Sequence, residues 1–290
     1  MRAAVIRDGR IEVEERPDPV PGPDELLIRV RAAGVNGADL AQRAGRYPPP
    51  PGVTDVPGLE CAGETEAGER VMALLAGGGQ AELAVAHRSH VLRVPDHLSW
   101  EEAGGFVEVF ATAHDALFAQ AGLREGERLL VNGAAGGVGV AAVQLAVAAG
   151  ARVTANARHH HEELRALGAD TEVEGDYDVI LELVGGENLA ANLERLARGG
   201  RVAVIGTGAG ARAEVNFGLL MQKRGRIHGS TLRARSVEEK EDVVKRLEAS
   251  MRTHRFGVPI SSTFPLDHAQ EAYERFAEGG KFGKIVVSVT

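Results

Sequence analysis

The chain has 290 residues, enough for about two domains. At 44% hydrophobic and 26% charged it has the composition of a soluble globular protein, which excludes disordered and fibrous classes; its 37 glycines follow no collagen period. The 33 basic and 41 acidic residues leave a net charge of −8, so no nucleic-acid partner is expected, because such proteins usually carry a basic stripe.

The first residues, MRAAVIRDGR, turn polar after four apolar positions, so no secretory segment is expected there. Up to about residue 105 the chain reads as short strands and loops. Ile11 to Glu14 and Leu27 to Arg31 alternate apolar and polar residues, the period of half-buried strands. Between them Pro17 to Glu25, and later Arg46 to Gly52, are proline-rich breaks. Cys61 is the single cysteine; it forbids an intramolecular disulfide and an all-cysteine metal site, and it fits a reducing, cytoplasmic setting.

From about 106 to 254 strands and helices alternate. Strands are expected at Arg128–Asn132, Ala151–Asn156, Asp178–Leu183 and Arg201–Gly206, with helices at Val140–Ala149, Glu162–Gly168 and Leu189–Ala197. That rhythm implies a parallel sheet covered on both faces. The longest weakly polar run, Gly137 to Ala151, is too short to span a bilayer, so no membrane partner is expected. The last stretch reads strand, helix (Leu266–Glu278), Gly279-Gly280 turn and strand (Lys284–Val289), and is expected to fold back onto the first region.

The sharpest signal lies between the first strand and helix of the alternating region, in Asn132-Gly133-Ala134-Ala135-Gly136-Gly137-Val138-Gly139. Glycines there allow a tight turn and a close backbone approach to a pyrophosphate, whose charge the helix N-terminus then receives. The spacing is G-x-x-G-x-x-G, and no Lys-Ser/Thr pair follows, which disfavours a nucleotide triphosphate loop. An NAD site would place a carboxylate at the end of the second strand; here Asn156-Ala157-Arg158 follows instead, and Arg158 suits a 2′-phosphate. The same arginine could equally be a solvated loop residue. His159, His160 and His161 are consecutive, point in different directions and do not suggest a metal site.

Five segments, spread through nearly the whole chain, resemble the zinc-free quinone oxidoreductase, or zeta-crystallin-like, branch of the medium-chain dehydrogenase/reductase superfamily. They are Ala33 to Pro48, Pro57 to Glu64, the glycine loop, Gly229 to Arg235 and Phe282 to Val286. The loop Gln42 to Gly52 and Val107 to Ala113 are similar to the stress-inducible members. The resemblance implies an α/β fold: a Rossmann doubly wound parallel sheet at 106–254, plus a GroES-like β-barrel-type catalytic domain from 1–105 and 255–290. It implies NADPH as cofactor and zinc-independent quinone reduction, with two alternatives: reduction of the C=C bond of enones or 2-alkenals, and a non-catalytic NADPH-binding role. It further implies a homodimer or homotetramer built through Arg226 to Leu232.

By the same resemblance Asn36 and Tyr47 lie near nicotinamide and substrate and are the candidate catalytic residues. The candidate cofactor residues are Thr112, Gly133, Ala135, Gly136, Gly137, Val138, Gly139, Arg158, Gly206, Leu232 and Phe282. Where zinc-dependent relatives place Cys, His and Cys, this chain has Asn36, Leu59 and, approximately, Glu108; no metal is expected. Glu108 reads as a solvated or paired helix-start residue, with a proton relay as the other reading. Arg233 and Arg235 could contact phosphate or pair with acidic neighbours. The chain is shorter than the family pattern at Gly63–Val71 and Ala169–Asp178, the second loss removing a tyrosine that often packs on the adenosine phosphate.

Overall fold

The structure, a computed structural model, describes residues 1–289. The chain divides into two compact units, Met1–Ala111 with Leu232 onward, and Thr112–Thr231.

The first unit is built on a seven-stranded sheet whose organising element is the long strand Glu25–Val35. Its first half pairs antiparallel with Leu83–His87, from Glu25↔His87 to Arg29↔Leu83, and with Glu60–Thr65 on its other side. Its second half pairs with the C-terminal strand Lys284–Ser288, from Ala32↔Ser288 to Val35↔Ile285. The tail thus folds back onto the head, as the sequence reading expects. Ile28, Val30, Ala33, Val35, Cys61 and Ile285 belong to one buried core. Helix Ala269–Glu278 buries Ala269, Ala272 and Tyr273, an i, i+3, i+4 face, and the Tyr273 hydroxyl donates to Gln80 Oε1 at 2.9 Å. An N-terminal hairpin, Arg2–Arg7 with Arg10–Glu15, closes through Asp8 and Gly9, both at positive φ (49° and 76°), the geometry of a two-residue hairpin turn.

The second unit holds a five-stranded, all-parallel sheet. In spatial order its strands are Arg226–Gly229, Leu196–Val204, Tyr177–Glu182, Arg128–Asn132 and Arg152–Asn156. Numbered within the unit this is the doubly wound order 2-1-3-4-5, whose switch point lies between the first and third strands. Helix Gly137–Ala148 is apolar nearly all round and contacts the first two of these strands in sequence, which is why its alanines are buried. The shortened stretch after residue 168 leaves only an isolated parallel bridge, Thr154↔Asp170, beside the outer strand. The helix expected at Leu189–Ala197 ends at Glu194, because Leu196 already enters the next strand and is buried there.

The division falls at 111/112 and 231/232, where the sequence reading places it at 105/106 and 254/255. The difference is helix Val237–Thr253. It is capped by Ser236 and Glu239, and it buries Lys240, Val243, Val244 and Leu247. Its contacts are with the turn Arg88–His90 and strand Val91–Arg93, and His90 Nε2 lies 3.0 Å from the Val237 carbonyl. The sequence reading assigns no helix here, and amphipathic spacing would not in any case say on which sheet its apolar face lands.

Candidate functional site

In the second unit, Asn132, Asn156 and Glu182 occupy one register row at the carboxyl ends of three adjacent strands. Their side chains form a continuous rung. Asn156 Nδ2 donates to Asn132 Oδ1 at 2.8 Å, and Asn132 Nδ2 donates to Glu182 Oε2 at 2.8 Å. Glu182 is 1% exposed and also accepts from Asn192, Asn188 and the backbone N–H groups of Val184 and Gly185. A buried carboxylate with this many neutral donors needs no cation. The rung fixes the two strand ends that flank the switch point, where open α/β sheets take their ligands.

The glycine loop springs from that rung. Gly133 adopts φ 79°, and its amide and that of Ala134 both donate to the Asn156 carbonyl. Gly139 is packed tightly: a Cβ there would sit 2.5 Å from the Gly133 carbonyl oxygen. Gly136 is different, since a Cβ there would meet nothing in the protein closer than 3.6 Å. It is the N-cap of helix Gly137–Ala148, which has no side-chain cap and no acidic residue in its first turn. Ala135, Gly136, Gly137 and Val138 are half-exposed, whereas Ala134 and Gly139 are buried. Uncapped donors above a loop with room for a close approach fit a dinucleotide pyrophosphate.

The other expected cofactor residues divide between the units. Gly206 lies against Leu183, as Gly133 does, and its amide donates to the Glu182 carbonyl; a Cβ at Gly206 would strike the Leu183 backbone. The structure therefore brings Gly206 and the glycine loop together. A cavity of about 170 Å³ opens on the Gly206 side, lined by Glu182, Gly185, Leu189, Val204 and Thr207 among others. Arg158 is exposed and makes no hydrogen bond or ion pair among the described residues. His160 is in the left-handed region and its Nδ1 lies 2.9 Å from Glu163. Thr112, half-exposed on helix Val107–His114, also falls in the second unit, while buried Leu232 and half-buried Phe282 fall in the first.

The first unit carries both expected catalytic residues. Asn36 follows the long strand and is 7% exposed. Its amide is held at both ends: Nδ2 donates to Glu60 Oε1 at 2.9 Å, and Oδ1 accepts from Lys284 Nζ at 2.6 Å. Lys284, 2% exposed, also donates to Glu60 Oε1 at 2.7 Å and to the Val35 carbonyl at 3.2 Å. Glu60, wholly buried, accepts the Glu108 amide on its other oxygen at 3.0 Å. Asp39 accepts the amides of Asn36 and Gly58, and so ties the start of helix Gly37–Arg43 to the turn before Glu60. Burial pushes the Asp39 carboxyl up to about 6, with those two amide bonds opposing.

Tyr47 is half-buried, and its ring faces the Arg233 guanidinium at 5.3 Å. Arg233, 4% exposed, donates to the carbonyls of Ala76 and Tyr47 and to Gln42 Oε1, at 2.7, 3.1 and 2.8 Å. It forms no ion pair among the described residues, so acidic pairing, one of the roles set out for it, does not describe its bonds, which staple the Tyr47 loop. Burial lowers its pKa, and burial followed by the charge of Glu108 raises that of the Tyr47 phenol. Cys61 is a core residue whose thiol burial pushes up to about 12, too high for a nucleophile.

Glu60, Asp39, Lys284 and Lys240 are absent from the sequence-based set. The signal was a carboxylate and a lysine each preceding an apolar run, Cys-Ala and Ile-Val-Val, where a charge is retained only with a partner. Two of the three places at which zinc-dependent relatives hold ligands, Asn36 and Leu59, do not fit zinc here. Asn36 has both ends of its amide engaged, Leu59 is an aliphatic side chain 1% exposed, and the Lys284 ammonium already supplies the local positive charge. Among the described residues no three His, Cys, Asp or Glu side chains are grouped to hold a metal ion.

Residues 22–96 match the alcohol dehydrogenase GroES-like domain family, and 155–287 match the zinc-binding dehydrogenase family. The quinone oxidoreductase of Lama guanicoe is 34% identical over 93% of this chain and 90% of its own, and that of Mus musculus is 33% identical with the same coverage. Among solved structures, the quinone oxidoreductase of Thermus thermophilus, described with its NADPH complex, is 31% identical and superposes with a TM-score of 0.86 over 99% of this chain and 100% of its own.

The buried pair yields one stability prediction. Lys284→Met leaves the Glu60 carboxylate buried and unpaired, and is expected to cost about 3–5 kcal/mol in urea unfolding. Combining it with Glu60→Gln is expected to recover most of that loss. Equal stability of Lys284→Met and wild type would contradict the pairing.

Proposed function

Because this chain belongs to the quinone oxidoreductase family of medium-chain dehydrogenases/reductases, and is an oxidoreductase of that type, we propose that it reduces quinones with NADPH and without zinc. The observation that carries the reading is the glycine loop at the sheet's switch point, opening onto an uncapped helix N-terminus. When bound, NADPH supplies the hydride. The amides of Gly137 to Gly139 hold the pyrophosphate, with Ala135, Gly136 and Gly206 shaping the same rim. Arg158, exposed and without a partner, takes the 2′-phosphate, and no carboxylate at the end of the second strand repels it. Thr112, in the same unit as the glycine loop, is assigned to the nicotinamide end.

For the acceptor, the chain offers hydrogen bonds rather than a Lewis acid. Glu60 and Lys284 lock the Asn36 amide so that its second N–H is free to donate in one fixed direction. The Tyr47 hydroxyl makes no hydrogen bond among the described residues, and Arg233 holds its loop in place. Both donors stabilise the oxygen that becomes negative when a quinone accepts hydride. An enone or 2-alkenal develops the same oxyanion and is the second acceptor class to assay.

The molecule is further proposed to act as a homodimer or homotetramer in the cytoplasm. Strand Arg226–Gly229 is the edge of its sheet, and beside it in sequence helix Phe217–Lys223 exposes Phe217 (71%) and Met221 (76%), one turn apart. No helix among the described residues is long and apolar enough to cross a membrane.

Four measurements test this reading. Chelator-treated protein is expected to oxidise NADPH faster than NADH when an ortho-quinone is added; dependence on added zinc, or no turnover with cofactor binding verified, would contradict it. Arg158→Ala is expected to weaken NADPH binding about tenfold while NADH is untouched, and Tyr47→Phe is expected to lower kcat more than cofactor affinity. Gly136→Ala is expected to keep the wild-type melting temperature but lose NADPH affinity, whereas Gly139→Ala loses both; unchanged affinity in Gly136→Ala would remove the pyrophosphate from the loop.

A further inference from the structure

Arg233 is a buried charge without a counter-charge. Its Nε donates to the Ala76 carbonyl, its Nη1 to the Tyr47 carbonyl and its Nη2 to Gln42 Oε1, so among the described residues it meets neutral acceptors alone. Burying a cation this way is costly, and an apolar residue of similar size would avoid the cost. The three acceptors lie in three directions, which suits the planar guanidinium fork and not an ammonium. They also converge on one loop. Gln42, itself buried, donates through Nε2 to the Asp55 carbonyl at 3.0 Å, so the Arg233–Gln42 pair holds the segment from Tyr47 to Asp55 at both ends. Between those ends Pro48 to Pro51 stiffen the backbone. The segment rests on Gly77 and Gly78, where a Cβ would stand 3.1 Å from Val53 Cγ1 and 3.2 Å from Thr54 Cγ2. Ala76 directly precedes those glycines, so the third bond of Arg233 fixes the surface on which the loop lies.

We propose that Arg233 is the positioning residue for Tyr47: it anchors the loop that carries the ring, and its cation over the ring face makes the Tyr47 hydroxyl a stronger hydrogen-bond donor to the acceptor. This deepens the quinone reductase reading and rests on it.

The geometry supports both halves of the role. The guanidinium carbon lies 5.3 Å from the centre of the Tyr47 ring, within the range over which a cation is attracted to an aromatic face. A positive charge there favours phenolate over phenol, which polarises the O–H bond toward an oxygen that is becoming negative. Burial and then the charge of Glu108 raise the pKa of the phenol, and Arg233 opposes them. The same residue also reaches the second proposed donor. Asn36 is the N-cap of helix Gly37–Arg43, and Gln42 lies in its last turn. Asp39 ties the start of that helix to the Gly58 amide, and Arg233 holds its end through Gln42. Asn36 and Tyr47 therefore flank a helix fixed at both ends, with Arg233 on the Tyr47 side.

The test compares wild type, Arg233→Met and Arg233→Lys, each alone and combined with Tyr47→Phe. Two readouts are taken: kcat for ortho-quinone reduction at saturating NADPH, and ultraviolet titration of the phenol in the free protein, with Tyr47 assigned by its loss in Tyr47→Phe. Arg233→Met is expected to lower kcat about tenfold, the worth of one hydrogen bond, at unchanged NADPH affinity. In the Tyr47→Phe background the same substitution is expected to cost nothing further. The Tyr47 phenol of Arg233→Met is expected to titrate at higher pH than in wild type, a shift that a purely structural anchor would not produce. Arg233→Lys keeps a charge but not the three-way fork, so it is expected to shift the titration less and to lower kcat; if Arg233→Met melts below the assay temperature, the Arg233→Lys cycle decides. Losses that multiply between position 233 and Tyr47→Phe, or a phenol titration that loss of the guanidinium leaves unmoved, would overturn the proposal. A wild type that binds NADPH but reduces neither quinone nor enone would instead overturn the parent reading, and this role with it.

Discussion

The buried ion pair between Glu60 and Lys284 is the constraint on which the first unit's polar cluster depends. It joins the ends of three strands, since Glu60 opens one, Lys284 opens another, and Asn36 follows the long strand between them. Two charges taken out of water are costly unless each remaining bond is satisfied. Here they are: one Glu60 oxygen takes Lys284 and Asn36, the other takes the Glu108 amide, and Lys284 adds the Val35 carbonyl. The glycine at position 34 makes room, because a Cβ there would come within 2.9 Å of the Lys284 nitrogen. The pair therefore specifies geometry more than it adds stability. It sets which way the Asn36 amide points and where helix Val107–His114 begins.

The Rossmann unit solves a parallel problem with neutral groups. Asn156, Asn132 and Glu182 share a register row, so a single line of side-chain bonds ties three strand ends beneath the glycine loop. Where relatives of the NAD type need a carboxylate at the outer strand end, this chain engages Asn156 in the rung and leaves Arg158 unengaged in solvent. Each unit thus holds a satisfied polar cluster beside residues with donors left over. That is the arrangement electrostatic stabilisation requires, because donors fixed in advance need no reorganisation during reaction.

How much of this was legible in the sequence follows from how local each feature is. The strand, glycine loop and helix at 128–148 are contiguous, so periodicity and turn chemistry located them and implied a doubly wound fold. Helix Val237–Thr253 was not read from the sequence at all, and its unit could not be, since its partners Arg88–His90 lie far away in sequence. Glu60 and Lys284 are separated by 224 residues, and neither carries a local mark of its partner. Asn36 and Tyr47 entered through family resemblance alone. The resemblance gave no orientation for the Asn36 amide and no staple for Tyr47; both come from long-range bonds to Lys284 and Arg233. Glu108 stood at a helix start, where a solvated acid is the ordinary reading, and only its backbone bond to Glu60 distinguishes it.

The most direct test of this account is a double-mutant cycle on kcat/KM for quinone reduction by NADPH, using Asn36→Ala, Glu60→Gln and the two combined. If Glu60 acts through the orientation of the Asn36 amide, the double variant will be no slower than Asn36→Ala, a strongly non-additive cycle. Losses that simply multiply would show that the buried pair and Asn36 act independently, and would contradict the claim that the pair exists to aim that amide.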